Sequence, residues 1–353
     1  MNRAVLSVLG AGAWGTALGC VLSRHGRPVL LWGRDASVMA TIAKKRRHPR
    51  TLTEVPLPRA LIPTTELKEA LSVPLALVAV PTQALRGLLE SIRHLSPLPA
   101  LLIACKGIEK HTQLFPLEIA QEVLPRTKRA VLSGPNFAVE IAQGLPSATT
   151  IATRDFAFPW LEPLASDIFR PYLSDDPMGV QLCGALKNVL AIACGAIAGK
   201  GLGESARAAA LSRGAMEIAR LGERMGAKTE TLLGLAGLGD MTLTCMSPKS
   251  RNFSLGYALV QGQTLAEATE DGRKTCEGMH TVRSVSALAE RYGVDMPLCE
   301  AIAQLLYGGI SLETLLKRLM RRPLKQETIE AKPVETSRKE VAWSQNLSFL
   351  QPI

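Results

Sequence analysis

The stretch that decides the fold, residues 4–17, reads AVLSVLGAGAWGTA. An apolar run ends at Gly10, and the glycines are followed by small residues that favour a helix. Glycines at this spacing allow a tight turn, close approach of the backbone to a pyrophosphate, and close packing of helix on strand. The N-terminus of such a helix also presents unbonded N–H groups to an anion. The residues of this predicted phosphate-binding turn are Gly10, Gly12, Ala13, Trp14 and Gly15.

A second predicted strand ends at Trp32, about 20 residues after the glycines, where a dinucleotide-binding unit contacts the adenosine ribose. Arg34 and Asp35 follow, so both charges are available. A carboxylate accepts the 2′-hydroxyl of NAD, whereas a guanidinium pairs with the 2′-phosphate of NADP. Because Arg34 comes first and residues 44–47 are all basic, NADP(H) is favoured over NAD(H). The alternative role of Asp35 is to cap the helix that begins at Ala36.

The first half of the chain alternates short apolar runs with helical periods. Such alternation is typical of βαβ units, which build a mostly parallel sheet with helices on both faces. The predicted strands are Ala4 to Leu9, Val29 to Trp32, one near Leu61, Leu75 to Val80, Leu101 to Cys105, Ala130 to Ser133 and Ala148 to Ala152.

After Asp176 the pattern becomes helical throughout. The predicted helices are Leu182 to Ala198, Glu204 to Met225, Leu255 to Gln261, Thr281 to Tyr292 and Cys299 to Tyr307. The predicted fold class is therefore α/β, with an N-terminal doubly wound Rossmann-type sheet and a C-terminal all-helical domain.

These patterns divide the chain into three parts. Residues 1–180 are predicted to form an NAD(P)-binding Rossmann domain, and residues 181–322 a helical domain with the substrate and catalytic residues. Residues 323–353 turn polar and are predicted to be a disordered or loosely docked tail. Its apolar end, from Trp343 to Ile353, is suited to contact a neighbouring molecule, which leaves a homodimer open.

The net charge of +10 over 353 residues suits an anionic partner. Basic and acidic residues balance in 323–353, so the excess lies in the folded body and no basic tail is available to bind nucleic acid. The densest basic run, Lys44 to His48 with Arg50, lacks the interleaved aromatic residues of a single-strand binder and is predicted to be a solvated helix end. A phosphorylated metabolite and a polyanionic coenzyme are therefore the expected partners, and nucleic acid is not.

Seven scattered cysteines without a CxxC pair predict buried, reduced thiols, and no His or Cys cluster has the spacing of a metal site. The chain enters a predicted strand by Ala4, which leaves no room for a signal peptide before it. A cytoplasmic protein is predicted.

Between Asp176 and Lys200 the only charged residue is Lys187, so the segment nearly meets the length of about 20 apolar residues that a membrane span needs. A lysine at the centre of a bilayer costs about 3 kcal/mol even on insertion scales. We therefore expect a helix buried inside a soluble protein, without stable insertion into a membrane.

Further polar motifs lie in apolar or glycine-rich surroundings. They are Lys106-Gly107-Ile108-Glu109, Gly134-Pro135 with Ala138 and Glu140, Leu186-Lys187-Asn188, Gly237-Leu238-Gly239-Asp240, Ser250-Arg251-Asn252 and Glu277-Gly278. Together with the phosphate-binding turn, these motifs resemble in order and spacing the bacterial NAD(P)-dependent glycerol-3-phosphate dehydrogenases. The resemblance runs from the N-terminus to about Arg322.

The resemblance implies reversible hydride transfer between NAD(P)H and dihydroxyacetone phosphate, which gives sn-glycerol 3-phosphate for glycerophospholipid synthesis. It implies Lys187 as the proton acceptor. The substrate contacts that it implies are Lys106, Gly134, Asn136, Asp240, Ser250, Arg251 and Asn252. The coenzyme contacts that it implies, beyond the glycines, are Trp14, Arg34, Lys106, Ala138, Arg251 and Glu277. Asn136 is a departure, because the family often carries a small hydroxyl residue there.

The chemistry of these residues supports the same roles. A lysine beside an apolar helix, predicted from Val189 to Ala198, can have its pKa lowered by desolvation and then accept a hydroxyl proton. Asp240 would oppose that shift if it lies close, so Lys187 is either a free base or a hydrogen-bonded relay. Arg251 offers a guanidinium fork to a phosphate, whereas its alternative place is in the capped start of a helix.

Two other functional classes share part of this pattern. A two-domain dehydrogenase for a hydroxy acid or a ketopantoate-like substrate would have the same fold, but Ser250-Arg251-Asn252 favours a phosphorylated substrate. A non-catalytic dinucleotide sensor would lose Lys187 or Asp240, and both are present.

Overall fold

The computed structural model describes residues 4–155, 162–270, 276–324 and 327. Within them, eight strands form one sheet in the order β3-β2-β1-β4-β5-β6-β7-β8. The strands are β1 (Leu6–Leu9), β2 (Val29–Trp32), β3 (Leu61–Thr64), β4 (Leu75–Val78), β5 (Ala100–Ile103), β6 (Arg129–Ser133), β7 (Ser147–Ala152) and β8 (Phe169–Ser174). Strands β1 to β6 are parallel, β7 is antiparallel to β6, and β8 is parallel to β7. The strand order reverses between β1 and β4, where ligands bind in such sheets.

Helices cover both faces of this sheet. They are α1 (Ala13–Ser23), α2 (Ala36–Lys45), α3 (Leu67–Ala70), α4 (Thr82–Ile92), α5 (Pro116–Val123) and α6 (Ala138–Gln143). One hydrophobic core lies between the sheet and α1, α2 and α6, and a second lies between the sheet and α3, α4 and α5. Strands β1, β2 and β4 are buried along their whole length, which explains their continuous apolar sequences. The doubly wound α/β sheet predicted from the sequence is confirmed.

One strand, β8, is missing from the sequence-based prediction. It lies at the edge of the sheet, contains Pro171, and leaves Tyr172 and Leu173 exposed. Proline and exposed side chains are tolerated at an edge, and they interrupt the apolar run by which a buried strand is recognised. The strand predicted near Leu61 is present as β3, paired with β2.

The second half of the described chain is helical, as predicted. Its helices are α7 (Pro177–Gly199), α8 (Gly203–Arg224), α9 (Thr229–Leu233), α10 (Asp240–Cys245), α11 (Arg251–Val260), α12 (Leu265–Ala268), α13 (Glu277–Tyr292), α14 (Pro297–Tyr307) and α15 (Leu312–Met320), with a short π-helical turn at Leu235–Gly239. The predicted boundary between residues 180 and 181 falls in the first turns of α7. The predicted tail, apart from residues 323, 324 and 327, lies outside the described residues.

Helix α7 is the centre of the helical half. Helices α8, α10, α11 and α13 pack around it. By length and composition alone α7 could cross a membrane, but 89% of its most apolar window is buried inside the protein. Helices of the same chain therefore take the place that lipid would occupy, in agreement with its interpretation as a core helix.

Helix α7 begins five residues earlier than the predicted start at Leu182. Asp176 caps it by accepting a hydrogen bond from the Gly179 N–H at 2.9 Å, and Pro177 occupies the first helical position. Lys187 consequently lies in the middle of a long buried helix, whereas the predicted start at Leu182 places it in the second turn.

Helices α7 and α11 cross with their backbones in contact. A Cβ on Gly195 of α7 would clash with the carbonyl oxygen of Phe253, and a Cβ on Gly256 of α11 would clash with the carbonyl oxygen of Ile192. Only glycine permits this approach. The crossing brings the first residues of α11 beside the middle of α7.

Candidate active site

The phosphate-binding turn joins β1 to α1. Gly10 has a backbone φ of +117°, which side-chain-bearing residues rarely adopt, and a Cβ there would lie 2.9 Å from the carbonyl carbon of Ala79. Gly12 is the N-cap of α1 and has no side chain to bond the first N–H groups of the helix. Apart from Gly12 and its two chain neighbours, no atom of the described residues lies within 4 Å of the position that a Cβ of Gly12 would take. The turn therefore leaves open space in front of a helix N-terminus.

The residues that follow β2 have distinct partners. Asp35 caps α2, since its Oδ1 accepts hydrogen bonds from the N–H groups of Ser37 and Val38 at 3.0 and 3.3 Å. Its Oδ2 pairs with the Arg50 guanidinium at 2.6 Å. Hydrogen bonds from Ser37, Val38 and Arg50 lower the pKa of Asp35 to about 2. Asp35 thus has the capping role that the sequence left as an alternative, and Arg34 is exposed beside it.

Three predicted residues from distant parts of the chain meet in one charged cluster. Lys187 Nζ lies 2.5 Å from Oδ1 of Asp240, and Lys106 Nζ lies 2.7 Å from Oδ2 of the same carboxylate. Lys187 is on α7, Asp240 begins α10, and Lys106 follows β5. The three side chains are 8%, 1% and 16% exposed, respectively. This Lys–Asp–Lys cluster lies where the sheet meets the helical half.

Burial and charge act against each other in the Lys–Asp–Lys cluster. Burial lowers the pKa of Lys187 to about 8, with Asp240 opposing the shift and Lys106 reinforcing it. Burial alone would raise the pKa of Asp240, but the two ammonium groups outweigh it and hold the pKa below its usual value. Asp240 is therefore ionised, while Lys187 can exchange its proton close to neutral pH.

Two further residues contact this cluster and were not predicted. Thr244 Oγ1 accepts a hydrogen bond from Lys187 Nζ at 3.0 Å, and Ser133 Oγ, at the end of β6, donates to Asp240 at 3.5 Å. Thr244 lies four residues after Asp240 on α10, so helical spacing is the signal that could have found it. Lys187 Nζ is thus hydrogen-bonded to both Asp240 and Thr244.

The Ser250-Arg251-Asn252 motif begins α11. Ser250 is the N-cap, because its Oγ accepts a hydrogen bond at 3.3 Å from a backbone N–H of the first turn. The side chain of Asn252 donates to Asn188 Oδ1 at 2.9 Å and accepts from the Gly278 N–H at 3.1 Å. Asn252 thus ties α11 to α7 and α13, whereas Arg251 is exposed at the first helical position.

Glu277, the first residue of α13, is a buried carboxyl with one unused oxygen. Its Oε1 accepts a hydrogen bond from the Thr82 N–H at 3.2 Å, while Oε2 has no hydrogen-bond partner among the described residues. Burial raises the pKa of Glu277 to about 7, against the Thr82 N–H and the charges of Arg251 and Lys110.

The predicted contacts near β6 and β7 have separate surroundings. The carbonyl oxygen of Gly134 accepts a hydrogen bond from Lys106 Nζ at 3.3 Å, so Gly134 borders the Lys–Asp–Lys cluster. Asn136 Nδ2 donates to the carbonyl of Ala148 at 3.0 Å, which turns this side chain toward β7. Ala138 begins α6 and packs against the core of the sheet.

Within the described residues, the cysteines are buried and the potential metal ligands form no cluster. All seven cysteines are buried, and burial raises the pKa of the Cys183 thiol, on α7, to about 12. Among the residues that the structure describes, no group of three or more His, Cys, Asp or Glu side chains is placed to hold a metal ion.

Family models match both halves of the chain. The NAD-dependent glycerol-3-phosphate dehydrogenase N-terminus matches residues 5–158, and the corresponding C-terminus matches residues 176–317. The glycerol-3-phosphate dehydrogenase (NAD(P)+) of Rhodospirillum rubrum is 46% identical over 333 residues, which cover 93% of this chain and 95% of that protein. The chain belongs to the NAD-dependent glycerol-3-phosphate dehydrogenase family.

Two other members of this glycerol-3-phosphate dehydrogenase family are similar to this chain over most of its length. The enzyme of that name from Parvibaculum lavamentivorans is 44% identical over 327 residues, 92% of this chain and 98% of that protein. The crystal structure of glycerol-3-phosphate dehydrogenase from Coxiella burnetii has a TM-score of 0.85 and 36% identity, with 90% of this chain and 98% of that chain covered. The family resemblance stated from the sequence motifs is confirmed.

The residues at the carboxyl edge of the sheet are suited to bind a dinucleotide in this member of the glycerol-3-phosphate dehydrogenase family. The open space at Gly12 lies in front of α1, as a pyrophosphate requires. Trp14 Nε1 and Glu277 Oε2 are buried polar atoms without a partner among the described residues. Lys106 Nζ lies 5.8 Å from the centre of the Trp14 ring, so the Lys–Asp–Lys cluster borders the phosphate-binding turn.

Proposed function

We propose that this chain catalyses reversible hydride transfer between NAD(P)H and dihydroxyacetone phosphate, which gives sn-glycerol 3-phosphate. The observation that carries the proposal is the buried Lys–Asp–Lys cluster beside a dinucleotide-binding turn, in a chain of the NAD-dependent glycerol-3-phosphate dehydrogenase family. Oxidation of a secondary alcohol needs a base whose pKa is close to the working pH, and Lys187 meets that need. The product is proposed to enter glycerophospholipid synthesis.

Lys187 is the proposed acid and base. When the ketone is reduced, its ammonium donates a hydrogen bond to the carbonyl oxygen and then transfers the proton to that oxygen. When the alcohol is oxidised, the neutral amine takes the hydroxyl proton. A nicotinamide coenzyme held at the phosphate-binding turn would supply the hydride in the first direction and accept it in the second.

Asp240 is proposed to orient the Lys187 and Lys106 side chains and to stabilise their charged forms. Its two oxygens bind Lys187 and Lys106 separately, so each ammonium has one N–H group fixed and others left for substrate. Lys106 is proposed to contact the substrate oxygen atoms beside Gly134. Thr244 fixes a second N–H of Lys187 and so limits its rotation.

The start of α11 is proposed to bind the substrate phosphate. Arg251 is exposed and places a guanidinium at the N-terminus of a ten-residue helix. Ser250 and Asn252 are proposed to help, although both also stabilise the helix start. Gly134 and Asn136 complete the proposed substrate side, and Ala138, Arg251 and Glu277 the proposed coenzyme side.

Replacing Arg251 with Met is expected to raise KM for dihydroxyacetone phosphate about 10- to 100-fold, because a hydrogen bond to a charged group contributes roughly 1.5–3 kcal/mol. Turnover of unphosphorylated dihydroxyacetone should stay nearly unchanged. The measurement is steady-state kinetics with both ketones, and Arg224→Met, an exposed arginine at the end of α8, is the matched control. A lower melting temperature with an unchanged KM would show that Arg251 only supports the helix start.

The coenzyme is proposed to be NADPH in preference to NADH. This proposal is supported by Asp35, whose carboxylate is engaged by the α2 cap and by Arg50 and so is not left to accept a ribose hydroxyl. Arg34 is exposed directly after β2 and is suited to a 2′-phosphate.

Arg34→Gln is expected to raise the Kd for NADPH at least tenfold and to change the Kd for NADH less than twofold, because only NADPH has the phosphate that the guanidinium binds. Coenzyme fluorescence titrations at fixed ionic strength measure both constants. Arg59→Gln, another exposed arginine in the same half, should alter neither. Equal losses for the two coenzymes would contradict a role in 2′-phosphate recognition.

We also propose the larger organisation predicted above: an NAD(P)-binding domain over residues 1–180 and a helical domain over residues 181–322, in a cytoplasmic enzyme. The position of the Lys–Asp–Lys cluster supports this division, because Lys106 comes from the sheet half while Asp240 and Lys187 come from the helical half. Sedimentation of the full chain distinguishes a monomer from the homodimer that the apolar end of the tail leaves open.

A further inference from the structure

A buried histidine lies between the phosphate-binding turn and the residues that follow β2. His48 is 4% exposed and belongs to the segment that leads from α2 to β3. It belongs to the basic run that the sequence predicts to be a solvated helix end, and it has no part in the proposed chemistry. Its two ring nitrogens nevertheless contact the phosphate-binding turn and the segment that contains Arg50.

The contacts of His48 specify one tautomer. Nε2 lies 2.8 Å from the carbonyl oxygen of Ala11, and because a carbonyl only accepts, Nε2 carries the hydrogen. Nδ1 then accepts hydrogen bonds from the N–H groups of Arg50 and Thr51 at 3.1 and 3.0 Å. All three bonds require the neutral ring. Burial lowers the pKa of His48, against the Ala11 hydrogen bond, which agrees with a neutral ring at pH 7.

The first of these bonds acts on the phosphate-binding turn. Ala11 lies between Gly10 and Gly12, and its carbonyl must point away from a bound pyrophosphate if the neighbouring N–H groups are to face the anion. A donor fixed behind the turn holds the carbonyl in that orientation. This part of the site serves NADH and NADPH equally, since both carry the pyrophosphate.

The second pair of bonds acts on Arg50. The backbone N–H of Arg50 is held by His48, and its guanidinium pairs with Asp35 at 2.6 Å, directly after β2. An uncompensated carboxylate at this place would repel a 2′-phosphate, whereas the ion pair cancels its charge. This part of the site differs between the two coenzymes, because only NADPH carries the 2′-phosphate.

We propose that His48 is a positioning residue for the coenzyme, a role that rests on the NAD(P)(H) binding proposed above. Through Nε2 it orients the Ala11 carbonyl in the phosphate-binding turn, and through Nδ1 it holds the turn from which Arg50 neutralises Asp35. One imidazole therefore supports both general dinucleotide affinity and the preference for NADPH.

Two substitutions separate these contacts. His48→Asn keeps a polar acceptor near the position of Nδ1 and loses the bond to Ala11, so it is expected to raise the Kd for NADPH and NADH by the same factor, about three- to tenfold. His48→Gln keeps a donor near the position of Nε2 and releases the Arg50 turn, so it is expected to raise the Kd for NADPH more than that for NADH. Arg50→Gln, an exposed substitution, should show the same selective loss.

The titrations use coenzyme fluorescence with the full chain, and melting temperatures are measured in parallel. His94→Asn and His94→Gln, at an exposed histidine after α4, are the matched controls and should leave both constants unchanged. Lower melting temperatures with wild-type Kd values in both His48 variants would overturn the positioning role alone. Equal wild-type affinity for the two coenzymes would refute the NADPH preference but not the His48→Asn result, whereas no binding of either coenzyme would overturn the proposed function and the His48 role together.

Discussion

Lys187→Met is expected to lower kcat about 10³-fold in both directions while the Kd for NADPH stays within a factor of two of the wild-type value. General acid–base catalysis typically contributes ~10² to 10⁴ in rate. Methionine has no proton to exchange with the substrate oxygen, so the variant loses this contribution. Methionine fills similar space in the buried middle of α7, and Asp240 keeps its partner Lys106, so the fold is expected to survive. Stopped-flow kinetics and coenzyme titration separate the two effects.

The wild-type pH profile provides the independent check on this prediction. Since the pKa of Lys187 is about 8, oxidation of glycerol 3-phosphate should accelerate as the pH rises through about 8, where the amine becomes neutral. Reduction needs the ammonium and should slow over the same range. Lys200→Met, an exposed lysine at the end of the same helix, should change neither rate. Retention of wild-type kcat in Lys187→Met would remove this residue from the reaction.

Asp240→Asn is expected to lower kcat about 10²-fold and the free energy of unfolding by about 3 kcal/mol. The carboxylate is 1% exposed and is the counter-ion of two buried or half-buried lysines, and removing one partner of a buried ion pair typically costs 3–5 kcal/mol. Because Asp240 opposes the depression of the Lys187 pKa, its loss should also move the rise in the oxidation profile below pH 8. Chemical denaturation and pH–rate profiles measure these changes.

The matched control for this variant is Asp175→Asn. Asp175 forms an exposed ion pair with Lys228 at 2.7 Å, and exposed pairs contribute little to stability. It should therefore unfold like the wild-type protein and retain full activity. If Asp240→Asn lost stability but kept the wild-type kcat and pH profile, Asp240 would be a structural counter-ion without influence on the proton transfer.

The strands could be predicted from the sequence wherever helices cover both faces of the sheet. Strands β1, β2 and β4 are covered on both faces, so each is a continuous apolar run that a reader can find without a structure. Strand β8 is covered less, and its Pro171 and exposed side chains resemble a loop. The predicted start of α7 is too late because Pro177, Gly179 and Gln181 interrupt the apolar period in its first turns, although Asp176 and Pro177 are sound signals for a helix start.

The candidate site was predictable residue by residue but not as an arrangement. Motifs marked Lys106, Lys187 and Asp240 individually, yet these contacts join residues 53 and 134 positions apart, and such separations carry no periodic signal. His48 lies in a basic run that suggested a solvated helix end, whereas the structure buries it. A polar residue outside the family motifs, such as His48, stands out only when the fold shows its partners.

The glycine crossing of α7 and α11 has a consequence for changing the substrate. Since the main chains touch there, the spacing between the Lys187 amine and the start of α11 is a property of the backbone and cannot be widened by trimming side chains. In the proposed substrate site, redesign for a longer phosphorylated ketone would therefore have to gain room around Gly134 and Asn136, the residues proposed on the sheet side. The helical half therefore fixes the length available to a substrate in the proposed site.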